Sequence, residues 1–599
     1  MGIFERIRKD ILFLNGIGRA FVRAALIALR PTRTFSDVAE DLARRFGDKV
    51  ALLSDRETLT YAELNARANR YARWASANGV GKGDTVCLLM PNRPEFVAIW
   101  LGITRMGGVV ALLNTHLSGA ALAHCVNIVL PKQIIVADEL AEAFASAAPL
   151  LTVAATIWSH GDAGSGFQRI DQAVAKLSDG AIAAGERPAL TINDRSLYIY
   201  TSGTSGLPKA ANVNHFRVLA AMEAFSAIMG MRADDRMYNC LPLYHTSGGV
   251  IAICACLREG ASVFIREKFS ARQFWDDVVR HDCTLFQYIG ELCRYLVNAP
   301  HHPNESRHKL RLCCGNGLRP DIWIVFKDRF GIAHIREFYA ATEGNAILFN
   351  LDDTPGSVGR VPKWSSVIFP VAVVRFDMDR EEPVRGADGR CVECEADEIG
   401  ELVSKIQISP LKPAQRFDGY SDKSATEKKI LRDAFKADDI WFRSGDLMRR
   451  DARGYFFFVD RVGDTFRWKG ENVATSQVAE FISTFDSVKE ANVYGVPIAG
   501  REGKAGMAAM VVGGDFDLAS FRSHVHARLS PYARPVFLRL QNEIEATSTI
   551  KQRKLDLVRS GFDPTGIAEP LYFDDSAQNA YVRLDAALYD RIQSGDIRL

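Results

Sequence analysis

The sequence predicts an α/β protein, with a large N-terminal domain of mostly parallel sheets covered by helices and a smaller α+β domain at the C-terminus. Three observations predict it. From Thr34 onward, short apolar or β-branched runs alternate with stretches of helical periodicity, the pattern of parallel strands joined by crossover helices. A chain of 599 residues is too long for one core. After Phe456-Phe457-Phe458-Val459 the composition changes, and the roughly 140 residues that remain suffice for a small second domain. The expected division is an N-terminal segment at 1–33, the large domain at 34–460 and the small domain at 461–599.

Apolar residues make up 47% and charged residues 24%, the proportions of a soluble globular protein. Lysine and arginine number 74 against 72 acidic residues, so the net charge of +2 implies no general attraction to nucleic acid. The 11 cysteines are scattered and odd in number, which argues against a disulfide framework and for a reducing, cytoplasmic setting. Nothing in the sequence sets an oligomeric state.

Taken in order, the chain begins with apolar residues at helical spacing, among them Ile3, Phe4, Ile7, Ile11, Leu14, Ile17 and Phe21, punctuated by Arg6, Arg8, Lys9, Arg19, Arg23 and Arg30. These charges interrupt it too often for a spanning helix. The pattern suits a basic amphipathic helix lying on an anionic membrane surface, or one that packs its apolar face on the next domain. Leu59-Thr60-Tyr61-Ala62-Glu63-Leu64 opens a helix that ends near Gly79, and Thr85 to Met90 reads as a buried strand. A helix over Glu95 to Met106 and a strand from Gly108 through Leu113 follow. Ser196 to Tyr200 forms another buried strand, and Asn214 caps a helix that runs to Met229 and stops at Gly230. The stretch Cys240 to Leu257 holds no Asp, Glu, Lys or Arg and reads as a buried helix, either a pocket wall or plain core. Asp460 to Asp464 reads as a flexible junction.

Between strand and capped helix lies Thr201-Ser202-Gly203-Thr204-Ser205-Gly206-Leu207-Pro208-Lys209. Glycines allow close backbone approach, hydroxyls and amides donate hydrogen bonds, and the lysine supplies a point charge, so strand, loop and helix make a cradle for phosphates. Pro208 separates the glycines from Lys209, which excludes a Walker A loop.

Downstream come carboxylates at Glu343 and Asp446 and cations at Arg461 and Lys551. Their order and surrounding words resemble the adenylate-forming superfamily of acyl-CoA synthetases, adenylation domains and luciferases. The resemblance runs from about Thr34 to the C-terminus. It carries Tyr198 to Lys209 as the AMP-binding signature, with Ser205 in place of the commoner threonine, and Tyr339-Ala340-Ala341-Thr342-Glu343, with Ala340 in place of glycine. Within the superfamily, Gly315-Asn316-Gly317-Leu318-Arg319-Pro320, Glu337 to Asn345, Asp460 to Val473 and Tyr532-Ala533-Arg534-Pro535 resemble very-long-chain acyl-CoA synthetases and fatty acid transport proteins.

The resemblance implies ATP or AMP binding by Thr201, Ser202, Gly203, Thr204, Ser205, Gly206, Lys209, Gly315, Asn316, Gly317, Tyr339, Thr342, Asp446 and Arg461. Tyr339 stacks on adenine, Thr342 meets phosphate, Glu343 holds Mg2+, and Asp446 and Arg461 reach the ribose. Lys551 is the catalytic lysine, with Lys554 as a nearby competitor, and Thr342 and Glu343 join it. His245, Gly248, Ala340 and Ala341 are placed at the acyl pocket, although a satisfied core histidine remains open for His245. A mobile small domain hinges at 461–464, where Gly463 replaces the usual Asp or Lys, and presents Arg467, Lys469 and Gly470 for CoA. The implied activity is a long-chain or very-long-chain fatty acid–CoA ligase using ATP, Mg2+ and CoA; the cysteine usage and the N-terminal segment place it in the cytoplasm, either free or peripheral on the cytoplasmic face of a membrane. An acyl-AMP ligase serving a carrier protein and an uptake protein with a vestigial ATP site are the alternatives.

Overall fold

The structure is a computed structural model that describes residues 3–161, 166–201, 207–366, 368–378, 380–407, 415–469, 471–501, 503–542, 554–597 and 599. The chain forms two units, one of residues 1–366, 405–431 and 440–442, the other of residues 367–404, 432–439 and 443–599.

The first unit contains two large sheets, mostly parallel as expected, with antiparallel pairs at edges. In one, the strands Leu285–Ile289, Leu312–Asn316 and His334–Ala340 lie side by side and parallel, with Ile347–Asn350 closing the edge antiparallel. In the other, Thr85–Leu89 is flanked by Val109–Leu112 and Gln133–Ala137, all three wholly buried, as a sheet covered on both faces requires. Helices follow the local signals. Thr60 and Glu63 form a reciprocal capping box at the start of Tyr61–Ala77, with bonds of 3.1 and 2.8 Å. That helix crosses Pro94–Arg105 so closely that a Cβ on Gly102 would lie 2.4 Å from Tyr71 Cβ. Asn214 Oδ1 accepts from the Arg217 amide at 2.9 Å, and the helix His215–Met229 ends on Gly230 at φ +53°.

Three local expectations change. Lys209 does not lie on a strand-to-helix loop. It opens a strand, Lys209–Asn214, that pairs antiparallel with Arg195–Thr201 and puts Lys209 in register with Thr201. The stretch after Cys240 is buried but not one α-helix: a π-helical turn over Thr246–Ala252 precedes the helix Ile253–Glu259. Gly248 and Gly249 press on the carbonyls of Pro242 and Leu243, where a Cβ would come within 2.5 and 2.0 Å. Asp460 and Arg461 belong to the strand Tyr455–Arg461 rather than to a free junction, because buried Asp460 accepts the amide and hydroxyl of Thr475 at 2.6 and 2.8 Å.

The N-terminal segment forms one helix, Ile3–Ala28, and packs one face on its own unit. One face buries Phe13, Ile17, Ala20 and Ile27 and is tied down by ion pairs from Asp10 to Arg360 at 2.6 Å and from Arg23 to Glu259 at 2.7 Å. The other leaves Phe21 57% and Val22 61% exposed. By length and composition, Ile7–Ala28 is apolar enough to cross a bilayer, which corrects the expectation that its charges forbid it. Its inward face is nevertheless committed to packing.

The second unit ends in a five-stranded sheet ordered Val488–Pro497, Lys504–Val512, Phe537–Gln541, Leu571–Asp575 and Ala580–Arg583, in which only the second and third strands are parallel. Helices Thr475–Ile482 and Leu518–Arg528 add Val478, Ile482, Phe521 and Val525 to its core.

Candidate active site

In the first unit, the strand His334–Ala340 delivers Tyr339, half-buried, and Ala340, exposed, to a turn that carries Ala341, Thr342 and Glu343. Arg217 holds this turn. From the first turn of its helix, its guanidinium donates to the carbonyl oxygens of Thr342 at 2.6 Å, Glu343 at 3.3 Å and Gly344 at 2.6 Å. Burial lowers the Arg217 pKa, and Asp418 and Glu343 oppose that shift. The Thr342 hydroxyl lies 3.0 Å from that of Thr246, at the head of the π-helical turn.

Tyr420 connects this turn to the hairpin. Its hydroxyl donates to Glu343 Oε1 at 2.7 Å and also hydrogen-bonds the side chain of Thr201. Lys209 Nζ sits 5.7 Å from the centre of its ring. Burial first, and then the Glu343 carboxylate, raise the phenol's pKa, so Tyr420 stays a donor. The backbone fixes it, with the Ser421 amide on Ala210 at 2.9 Å and the Asn212 amide on Gly419 at 3.0 Å. Thr201, Lys209, Thr342 and Glu343 are thereby brought into one polar cluster.

Gly315 and Asn316 end the strand next to that of Tyr339, and Gly317 turns the chain at φ +78°. A Cβ on Gly315 would lie 2.2 Å from the Tyr288 carbonyl oxygen, so the position demands glycine. His245 lies just before the π-helical turn, its ring 4.6 Å from that of Tyr244, and Gly248 gives its carbonyl to Asn239 at 3.0 Å.

The second unit holds Asp446, Arg461, Gly463, Arg467 and Lys469. Asp446 and Arg461 are register partners on adjacent antiparallel strands, with Arg461 Nε 3.6 Å from the carboxylate. Ser444 Oγ donates to the Leu402 carbonyl at 2.6 Å and accepts the Asp446 amide at 3.0 Å, which sets the strand's path before Asp446. Gly463 takes φ +91°, a conformation natural to glycine. Arg467 and Lys469 belong to a hairpin of Phe466–Trp468 and Glu471–Val473, anchored by buried Phe466 and Trp468, with Lys469 strained at φ +53°. Lys554 donates to the Thr475 hydroxyl and lies 3.8 Å from Asp464, whose pKa burial raises against the pull of that lysine. Ser202, Gly203, Thr204, Ser205, Gly206, Gly470 and Lys551 lie outside the described residues.

Sequence reasoning missed Arg217, Tyr420 and Thr246. Arg217 carried a signal: a cation in the first turn opposes the helix dipole and calls for a specific partner. Tyr420 carried none, since its partner Glu343 is 77 residues away.

The AMP-binding enzyme family matches residues 39–404, and the AMP-binding enzyme C-terminal domain matches residues 477–551. The chain is 40% identical over 578 residues to long-chain fatty acid transport protein 2 of Rattus norvegicus, covering 95% of this chain and 92% of that one. It is 39% identical over 603 residues to long-chain fatty acid transport protein 6 of Mus musculus, covering 100% and 96%. Its fold is that of an anthranilate CoA ligase solved with anthranoyl-AMP, at a TM-score of 0.74 and 20% identity, over 88% of this chain and 96% of that one. With one match spanning most of the large unit and relatives aligned nearly end to end, the chain belongs to the AMP-binding enzyme family, in the branch of the long-chain fatty acid transport proteins.

Proposed function

We propose that this protein is an ATP-dependent ligase joining long-chain or very-long-chain fatty acids to CoA. The observation that carries the reading is the cluster of Thr201, Lys209, Tyr420, Glu343 and Thr342, which gathers hydroxyl and ammonium donors beside one hard-oxygen carboxylate. In the first step, the fatty carboxylate attacks the α-phosphorus of ATP and pyrophosphate leaves. Lys209 and the hydroxyls of the hairpin hold the phosphates, Tyr339 stacks on adenine, and Asp446 with Arg461 holds the ribose. Lys551 bridges the carboxylate and the α-phosphate, two anions whose approach needs neutralisation and alignment. In the second step, the CoA thiol attacks the acyl carbonyl and AMP leaves, with Arg467, Lys469 and Gly470 serving CoA.

Among the described residues there is no group of three or more His, Cys, Asp or Glu able to cage a metal. Glu343 fits Mg2+ all the same, because that ion is commonly held by one or two carboxylates and completes its shell with substrate phosphates and water. When bound, Mg2+ neutralises charge on the phosphates.

Fatty acid as substrate rests on the relatives' names and on the apolar wall from Cys240 to Leu257, in which Val250 to Leu257 are buried. Each methylene buried along such a wall contributes about 0.8 kcal/mol, so two extra methylenes change affinity by more than about tenfold. A ligase assay across saturated acids from short to very long should therefore show kcat/KM climbing steeply with length before it levels. A preference for aryl or short acids overturns the reading. Failure of CoA to consume preformed acyl-AMP points instead to transfer to a carrier protein.

The N-terminal helix favours a membrane surface as the place of action. Its outward side exposes Ile7, Ile11, Leu14, Phe21 and Leu26 together with Arg8 and Arg19, while Asp10 and Arg23 are occupied by inward ion pairs. Replacing Phe21 and Leu26 by glutamate alters only that face. Co-sedimentation with anionic vesicles should drop about tenfold or more, at about 1.5 kcal/mol or more per inserted side chain. Unchanged co-sedimentation removes the helix from this role.

A further inference from the structure

Glu337 has no part in the steps above, yet its carboxyl is buried at the centre of the site's scaffold, with 2% of the residue exposed. It stands two residues before Tyr339 and is in register with Gly315 on the neighbouring strand. Its Oε1 accepts the Leu318 amide at 2.8 Å, its Oε2 lies 2.5 Å from the Tyr288 hydroxyl, and the Gly317 amide also bonds to it. The turn it holds is closed in from the other side. A Cβ on Gly290 would come within 1.8 Å of the Gly317 carbonyl oxygen, and one on Gly315 within 2.6 Å of the Tyr288 ring. One carboxyl thus bridges three neighbouring strands at the ends that carry Gly290, Gly317 and Tyr339.

We propose that Glu337 is a positioning residue of the nucleotide site, which sets ATP affinity by fixing the Gly315–Leu318 turn relative to Tyr339. This rests on the assignment of Gly315, Gly317 and Tyr339 to the adenine nucleotide. Between that turn and Tyr339 a flat ring must fit, so a shift of either wall weakens the contact that holds it. Tyr288 and the two amides define where the carboxyl sits. Tyr339 is in turn fixed by the strand that carries Glu337.

The protonation state of Glu337 gives the proposal a distinctive signature. Burial pushes its pKa up to about 8 against the opposing pull of Tyr288 and the two amides. The titratable groups facing it are the Tyr288 phenol and the thiols of Cys293 and Cys314, all pushed up by burial, and Arg336 lies beside Cys314. At neutral pH the site therefore holds an uncharged acid, and ionisation above about 8 introduces a buried negative charge close to where an anionic nucleotide is held. The linkage runs the same way. An unfolded glutamate gives up its proton near 4.5, so Glu337's contribution to stability is fully present below that pH and is lost as pH rises to about 8.

The test measures steady-state constants for ATP, fatty acid and CoA in the full chain as a function of pH. Glu337→Ala should raise KM for ATP about tenfold while kcat and the other two KM values stay within about twofold. Glu337→Gln keeps an acceptor for the Leu318 amide and cannot ionise. It should restore KM for ATP at pH 7 and abolish the rise in that KM which the parent shows above pH 8. An alanine variant that leaves KM for ATP unchanged, or a glutamine variant that keeps the parent's pH profile, overturns the proposal. Should Glu337→Ala fail to fold, Tyr288→Phe removes one arm of the bridge and must show the same selective rise. Tyr339→Ala serves as the control for the underlying assignment. If it leaves KM for ATP unaltered, the nucleotide assignment fails; if it raises KM and Glu337→Ala does not, only the positioning role fails.

Discussion

Replacing Arg217 by alanine is expected to reduce fatty-acid-dependent ATP–pyrophosphate exchange by about a hundredfold to a thousandfold. The guanidinium donates to three successive carbonyl oxygens, those of Thr342, Glu343 and Gly344. Hydrogen bonds from a charged donor contribute about 1.5–3 kcal/mol each, and losing them leaves the acceptors unpaired as well. The turn that presents Thr342 and Glu343 then loses these three bonds to its backbone and is left with side-chain contacts such as Tyr420 to Glu343 Oε1 and Thr246 to the Thr342 hydroxyl. A misplacement of about 1 Å in such groups costs on the order of a hundredfold in rate. Lysine keeps the charge but cannot span three carbonyls, so Arg217→Lys should fall between the parent and the alanine variant. Thermal unfolding of each variant separates loss of the turn from loss of the fold. A folded Arg217→Ala that exchanges within about threefold of the parent would mean that the turn holds its shape unaided.

That prediction also shows where sequence reasoning stops. Caps and stops were legible because their partners lie three or four residues apart. Thr60 with Glu63 and Asn214 with the Arg217 amide are local bonds that residue type nearly dictates. Buried strands such as Thr85–Leu89 were legible because only a sheet covered on both faces tolerates an unbroken apolar run. The Arg217 side chain belongs to a different class: its acceptors lie 125 to 127 residues ahead, and nothing near it in the chain reports them. Tyr420 and Glu337 are alike in this. An isolated Tyr or Glu in an apolar setting acquires meaning only when strands distant in sequence become neighbours. Lys209 illustrates a subtler limit. Its chemistry was legible from glycines, hydroxyls and charge, but its place on a strand was not, because antiparallel pairing with Arg195–Thr201 overrides the loop-like composition just before it. The N-terminal helix was ambiguous because apolar residues surround most of its circumference, and only the packed fold separates the inward from the outward ones.

Lys551→Ala is expected to abolish acyl-AMP formation, with a loss of about a thousandfold in ATP–pyrophosphate exchange, while CoA still consumes preformed acyl-AMP at a rate within about threefold of the parent. Lys554→Ala should leave exchange within about threefold. The sequence presents both lysines within four positions, and resemblance favours the first, despite Ile550 where the resemblance implies glycine. Physical evidence comes from the competitor. The Lys554 ammonium donates to the Thr475 hydroxyl and faces Asp464 at 3.8 Å, and Thr475 is itself bonded to Asp460. A lysine so engaged braces the helix Lys554–Ser560 against the segment around Gly463 within its own unit. Stretching between two anionic substrates would require it to break bonds that are already made. Lys551 is the lysine we propose for that task. Removing one positioned donor from a developing charge costs on the order of a hundredfold to a thousandfold, and neutralising a carboxylate as it approaches a phosphate lies at the upper end of that range. The same cation has no partner to stabilise once acyl-AMP exists, so the second half-reaction should be spared. Loss of exchange in Lys554→Ala with exchange kept in Lys551→Ala would transfer the catalytic role and turn the Thr475–Asp464 contact into a resting position. The split between half-reactions decides this, because a merely destabilised C-terminal unit would slow both.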